Sequence, residues 1–156
     1  MTLLVVRHAR AGSRRRWDGP DEERPLSGRG RKQAAALVMQ LLPFEPKRIL
    51  TSPYVRCIQS VEPLASKLGL TVEPHDALTE GAPVADVVSL AGDLAGRTTV
   101  LCTHGDVIGA LLDALARDDG LELSEHYHFP KGSTWVLSDR DGRYLKARFL
   151  PQKGAD

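Results

Sequence analysis

Four short apolar runs, each followed by a polar turn and then by apolar residues at helical spacing, constrain this chain more than any other feature. The runs are Leu3-Leu4-Val5-Val6, Arg48-Ile49-Leu50-Thr51, residues 70–73 and residues 98–103. Parallel strands cannot be joined by a tight hairpin and need a crossover, usually a helix, so this alternation predicts an α/β domain with a parallel sheet. A first helix is expected over about residues 29–42, with Ala34, Leu37, Val38, Leu41 and Leu42 on one face. A third, starting near Pro83, turns Val84, Val87, Val88, Ala91 and Leu94 inward. A fourth follows His104-Gly105 with Val107, Ile108, Leu111, Leu112 and Leu115 on its apolar face. The pattern then changes. Residues 133–137 and 144–149 read as two strands around Asp141-Gly142, a hairpin signal.

The second helix carries the clearest local signals. Ser52-Pro53 predicts a start with Ser as the cap and Pro in the first position. Gly69 supplies the left-handed residue just past the end at residue 68, and Pro63 predicts a kink or break in between. Neither an internal repeat nor a linker divides the chain, so residues 1–156 are expected to form a single domain. Aromatics are only 5%, which leaves Leu, Val, Ile and Ala to fill most of the core. The longest apolar run falls far short of the roughly 20 residues that span a bilayer. No basic segment precedes an apolar stretch at the start, and two cysteines, Cys57 and Cys102, suggest neither a disulfide framework nor a zinc site. Cys102, in a buried strand, is read as an inert core residue. A cytoplasmic enzyme or binding domain without membrane contact is the expectation, and its oligomeric state is left open.

A net charge of +1 hides an uneven distribution, +7 over residues 1–56 and −6 over the remainder. Residues 7–16 hold five arginines and no acid. That excess suits an anionic ligand, phosphate or nucleic acid. A solvated turn neutralised by Asp18, Asp21, Glu22 and Glu23 accounts equally well for Arg15 and Arg16.

Ligand sites of parallel sheets lie beyond the carboxyl ends of the strands. The first strand ends at Arg7-His8, and the second leads to a helix with Arg56 in its first turn. The third leads to a loop with Glu80, and the fourth ends at His104. Parallel pairing would gather two His, two Arg and one carboxylate on one edge. Arginines bind phosphoryl oxygens through fixed paired donors and stay charged at any working pH. A neutral imidazole is a competent nucleophile when one ring nitrogen is held and the other faces phosphorus. A rim carboxylic acid can protonate the leaving group and then activate water. The cations take over the charge neutralisation that Mg2+ gives other phosphoryl-transfer enzymes. These groups point to metal-independent hydrolysis of a phosphate ester or phosphoamide through a covalent phosphohistidine.

The same residues carry a resemblance. Val6-Arg7-His8, Pro25-Leu26-Ser27 with Gly30 and Gln33-Ala34, Thr51-Ser52-Pro53 with Arg56, Gln59 and Ser60, Leu78-Thr79-Glu80, and Thr103-His104-Gly105 stand in the order and spacing of the histidine phosphatase superfamily (phosphoglycerate mutase-like). The resemblance implies a three-layer α/β/α sandwich with a mostly parallel central sheet and the C-terminal hairpin. It implies His8 as the phosphorylated nucleophile, Arg7, Arg56 and His104 as the phosphate pocket, and Glu80 as proton donor. Ser13, Arg14 and Gly105 are the expected further substrate contacts, and no metal or cofactor is implied. Ala9 replaces the usual glycine after the nucleophile, and Arg14 stands where many members have Asn. Glu80 has the plainer reading of an ordinary loop acid. The chain is similar to short SixA-type phosphohistidine phosphatases and to the phosphatase-like domain that follows a Nudix domain in actinobacterial fusions. Some of those domains lack the second histidine, which this chain keeps as His104.

The expected substrate is a phosphorylated protein histidine or a small phosphorylated metabolite. A short cap over residues 74–97 with a single helix would leave the site open. The alternatives are a non-catalytic phospho-ligand or nucleotide-binding module built on residues 10–16, a phosphatase acting on nucleotides, and, weakest, a mutase. Nucleic acid is disfavoured as a partner. Gly28-Arg29-Gly30 lacks the third glycine of a dinucleotide loop, and Lys131-Gly132-Ser133-Thr134 lacks the Walker order. Glu125, His126 and His128 offer three metal donors without a fourth.

Overall fold

Strand β1 (Thr2–Arg7) sorts its side chains by the two-residue period of a pleated strand. Leu3 and Val5 join one apolar cluster while Leu4 and Val6 join another on the opposite face. The same division runs through β2 (Arg48–Thr51) and β4 (Thr99–Thr103), where Leu50 and Leu101 face one way and Ile49, Val100 and Cys102 the other. A sheet apolar on both faces must be covered on both. In the computed structural model, which describes residues 1–123 and 127–154, helices α1 (Gly28–Leu41) and α2 (Val55–Leu68) cover one face. Helices α3 (Val84–Asp93) and α4 (Gly105–Asp118) cover the other. The fold is the expected three-layer α/β/α sandwich. Each fully buried leucine, such as Leu37, Leu64 or Leu111, contributes about 2 kcal/mol of burial free energy to it.

The six strands lie in the order β3-β2-β4-β1-β5-β6, with β3 at Val72–Pro74, β5 at Thr134–Arg140 and β6 at Arg143–Leu150. The β1–β4, β4–β2 and β2–β3 pairs are parallel, so the carboxyl ends of β1 to β4 share one edge. β5 and β6 are antiparallel and extend the sheet as a hairpin. Asp141 (φ 53°) and Gly142 (φ 80°) both take the left-handed region that a two-residue turn demands. No helix among the described residues is long and apolar enough to cross a membrane.

Three expectations need correction. Pro63 lies inside α2, which runs unbroken from Val55 to Leu68. The Gln59 carbonyl loses its partner to the proline ring, and Gln59 and Pro63 are both only partly buried. Val61, Leu64 and Ala65, which are buried, hold the helix by packing. Ser52 is not the helix cap: α2 starts at Val55 behind Tyr54, and Pro53 precedes it. The segment expected as a cap is mostly part of the outer layer, because α3 packs Val87, Leu90 and Ala91 into the core beside α4. What borders the sheet edge where the strands end is the stretch before α3, which donates the His75 N–H to the Thr51 carbonyl, accepts the Thr103 hydroxyl on the Leu78 carbonyl and carries Glu80.

Candidate active site

His8 follows β1 directly, and its backbone N–H donates to the Thr103 carbonyl (3.0 Å), which locks it against the end of β4. The ring is buried, and its Nδ1 lies 2.8 Å from the Ala9 carbonyl. A carbonyl only accepts, so Nδ1 carries the proton and Nε2 keeps its lone pair. Burial lowers the His8 pKa to about 3, and the nearby charges of His104, Arg56 and Arg7 act in the same direction. The imidazole is therefore neutral at any physiological pH.

The loop after His8 is stitched to the helices of one layer. Ala9 N–H donates to Ser60 Oγ (2.8 Å), and Ser60 Oγ–H in turn donates to the Arg56 carbonyl (2.7 Å). Arg10 N–H donates to Gln33 Oε1 and Leu26 N–H to Gln59 Oε1, each at 2.9 Å. Ala9 is fully buried. Gly30 permits the tight approach of α1, because a Cβ there would lie 1.9 Å from the Arg10 carbonyl oxygen.

Cations surround His8. Arg7 Nη1 donates to the Phe129 carbonyl (3.1 Å), and burial pulls its pKa below the usual guanidinium range while Asp106 opposes the shift. Gly105 leaves room for that guanidinium: a Cβ at 105 would sit 3.1 Å from Arg7 Cζ. Arg56, almost wholly buried, donates through Nη1 to the Asp21 carbonyl (2.8 Å) and through Nη2 to Asp21 Oδ2 (3.0 Å). Its guanidinium carbon lies 4.8 Å from the centre of the Tyr54 ring. Arg24 Nε donates to the other Asp21 oxygen (3.0 Å), and Arg24 Nη1 to the Gly12 carbonyl (2.6 Å). Burial works against the Asp21 carboxylate, but the hydrogen bonds from Arg24 and Arg56 outweigh it and hold its pKa below the usual range.

His104 sits 5.3 Å from His8, ring centre to ring centre. Its Nε2 shares a 2.8 Å hydrogen bond with Ser52 Oγ, which also accepts the Tyr54 N–H (3.2 Å), and Cys57 Sγ is 3.6 Å from the same nitrogen. When the Ser52 hydroxyl donates to Nε2, the ring proton sits on Nδ1, 3.9 Å from Glu80 Oε1. Glu80 Oε1 is also 3.7 Å from Arg56 Nη2. Buried Arg7 Nε, Arg56 Nε and His104 Nδ1 have no hydrogen-bond partner among the described residues. Buried donors are ordinarily paired, so three orphans on three neighbouring side chains suit an anionic ligand.

The structure thus brings Arg7, His8, Arg56, Glu80 and His104 to one place. Gly105 stands beneath Arg7, and Arg14 lies at the rim, 3.9 Å from Asp21. Ser13 lies apart and lines a separate cavity of about 170 Å³. Glu125 and His126 fall outside the described residues, and the His128 ring lies against Phe149. Asp21 is the support that sequence reasoning missed; the acid counted there only as a neutraliser of the basic turn. Lys131 was missed too. Its neighbour Gly132 donates to the Arg7 and His8 carbonyls, and partial burial together with the charges of Arg7, Arg24, Arg10 and Arg56 lowers the Lys131 pKa.

Comparison with known proteins identifies the fold and the family. The SixA protein histidine phosphatase, solved with tungstate, superposes with a TM-score of 0.77 over 99% of this chain and 97% of its own, at 23% identity. A mycobacterial glucosyl-3-phosphoglycerate phosphatase gives 0.73 over 99% of both chains at 20% identity. At those identities the likeness shows the fold. An 8-oxo-(d)GTP phosphatase of Mycolicibacterium smegmatis is 42% identical over 154 residues, which are 96% of this chain and 48% of that protein. The chain therefore spans about half the length of this relative. The sequence model of the histidine phosphatase superfamily (branch 1) matches residues 3–83, from the first residues of β1 to the turn behind Glu80. The chain belongs to the histidine phosphatase superfamily.

Proposed function

We propose that the chain is a phosphatase that works through a phosphohistidine on His8 Nε2. The observation that carries this reading is the state of His8: neutral, with Nδ1–H held by the Ala9 carbonyl, and ringed by Arg7, Arg56 and His104. In the first step Nε2 attacks phosphorus and a P–N bond forms while the bond to the leaving group breaks. Glu80 supplies the proton that the leaving oxygen or nitrogen takes. In the second step water attacks phosphorus, gives its proton to Glu80, and the P–N bond breaks to return His8 and release inorganic phosphate. Arg7, Arg56 and the His104 Nδ1–H neutralise charge on the phosphoryl oxygens in both steps, so no metal is called for. The substrate is a phosphoric monoester or a phosphoamide, such as a protein phosphohistidine or a small phosphorylated metabolite. The 42% identity to the 8-oxo-(d)GTP phosphatase favours a second reading within this one, a nucleotide as substrate.

The test is a phosphoenzyme trap. Wild type and His8→Ala are incubated with labelled donors in EDTA, quenched, and the label is challenged with acid and base. An acid-labile, base-stable label on the wild type alone is the expected result. If no donor labels the protein and no EDTA-resistant hydrolysis occurs, the pocket is a phosphate-binding site and the catalytic reading fails.

A further inference from the structure

A cavity of about 240 Å³ opens beside the His8 pocket, lined by Arg14, Trp17, Gly19, Asp21 and Glu80. Two of its walls are shared with the pocket, since Asp21 and Glu80 are the carboxylates that face Arg56. A ligand with its terminal phosphoryl group at His8 has this cavity as its neighbour. It is smaller than the about 300–1,000 Å³ of sites that enclose a whole drug-sized molecule, so it suits one ring and not a whole cofactor.

Its walls differ in kind from the phosphate pocket. Trp17 contributes the indole, and the ring does not swing freely. Its Nε1–H donates to the Pro20 carbonyl (2.8 Å), and its backbone N–H donates to the Ser13 carbonyl (3.1 Å). Gly19 lies against the ring, and a Cβ there would sit 3.4 Å from three indole atoms. A larger residue at 19 would cover the surface that glycine leaves open. Arg14 adds an exposed guanidinium to the same lining, with its Nε 3.9 Å from Asp21, the acid shared with the phosphate pocket. A held indole and a cation lining one cavity, next to a phosphoryl site, form the combination that binds an aromatic base joined to more than one phosphate.

We propose that this cavity is a nucleobase subsite and that the substrate class is the nucleoside 5′-diphosphate, with its terminal phosphoryl group at His8, its inner phosphate against Arg14 and its base stacked on Trp17. The inference rests on the phosphatase reading of His8 and adds the group that the leaving phosphate carries. A phosphohistidine protein fits the cavity less well, because the imidazole of such a substrate is bonded directly to phosphorus and lies at Glu80, short of the indole.

The test compares selectivity across substrates with and without a ring. kcat/KM is measured for a nucleoside diphosphate, for inorganic pyrophosphate and for a phosphohistidine peptide. Trp17→Ala is expected to lower the ratio of nucleoside diphosphate to pyrophosphate by about 5- to 150-fold, the usual range for loss of one base stack. Trp17→Phe should keep most of it. Gly19→Val covers the ring surface that glycine leaves open with the indole intact, so it should lower the ratio as well and keeps the test decisive should the alanine variant fold poorly. An unchanged ratio in both variants, in a protein that still turns over pyrophosphate, overturns the base subsite and leaves the phosphohistidine mechanism standing. A selective loss on the peptide and not on the nucleotide overturns it too. Failure of every donor to label His8 is a different result, and it sinks the phosphatase reading itself.

Discussion

The floor and the rim of the cleft are built from similar residues in opposite ways. On the floor, His8, Arg56 and His104 are 5%, 1% and 1% exposed, and each is tied to a named acceptor or hydroxyl. At the rim the Arg14 side chain is 73% exposed and that of Glu80 42%. Floor groups are oriented before any ligand arrives, which is where catalytic charge stabilisation gains most. Rim arginines remain hydrated and lose side-chain entropy only when a ligand holds them, so each contributes less. In the proposed mechanism the floor carries out phosphoryl transfer, while the rim supplies the proton donor Glu80 and the groups that discriminate between substrates.

Four experiments can break or sharpen that division. The largest effect belongs to the nucleophile: His8→Ala should lower kcat by about 10,000-fold or more and abolish the phosphoenzyme. Retention of a tenth of the activity would mean that the floor is not where the chemistry happens. Next comes the packing behind the floor. Gly30→Ala puts a methyl group into the Arg10 carbonyl and should cost about 3 kcal/mol, read as a lowered denaturation midpoint. A neutral outcome would show the His8 loop to be less tightly stitched than its hydrogen bonds suggest.

The rim acid is expected to matter according to the leaving group. Glu80→Gln should lower kcat/KM by about 100-fold on an alkyl phosphate and progressively less as the leaving group becomes more acidic. A uniform loss across leaving groups points instead to electrostatics through Arg56. The smallest effect concerns acid stability. Between pH 6.5 and about 3 the unfolded chain takes up a proton at His8 that the folded chain refuses. Stability therefore falls as pH drops through 6.5, by about 2 kcal/mol between pH 8 and pH 5 from this residue. His8→Gln should flatten that part of the slope in urea titrations; parallel wild-type and variant curves would place the ring in water and not on the floor.

The floor was legible in the sequence because its chemistry stands at strand ends. Arg7-His8 and His104 follow apolar runs, and the parallel order of the sheet does the rest. Arg56 was legible for the same reason, but its partner Asp21 was not. Asp21 lies 35 residues earlier, at the start of a single 3-10 turn (Asp21–Glu23), and neither periodicity nor spacing reports its contact with a distant helix. At the rim the sequence offered Glu80 as proton donor and Arg14 as a substrate contact, but not the ring beside them. Trp17 carried no signal because a single aromatic in a polar loop has no period to belong to. Ser52 was misread because the rule for helix caps is local, whereas its hydroxyl is engaged by His104, 52 positions away. Pro63 misled for the converse reason, with tertiary packing on α2 overriding a local preference.

Ala11 and Leu26 form an isolated antiparallel bridge, reinforced by the Gly12 N–H on the Pro25 carbonyl. The two ends of the intervening segment therefore meet, and what lies between them is a pinched-off excursion and not a tether under tension. Lengthening such an excursion costs little closure entropy, about 0.6 kcal/mol for each doubling. A related chain could exchange this stretch wholesale and acquire a new clientele while inheriting the reaction unaltered, provided that the newcomer still delivers an Asp to Arg56 and an Arg to Gly12. With the base subsite proposed at Trp17 and Arg14, the neck makes substrate preference a replaceable part.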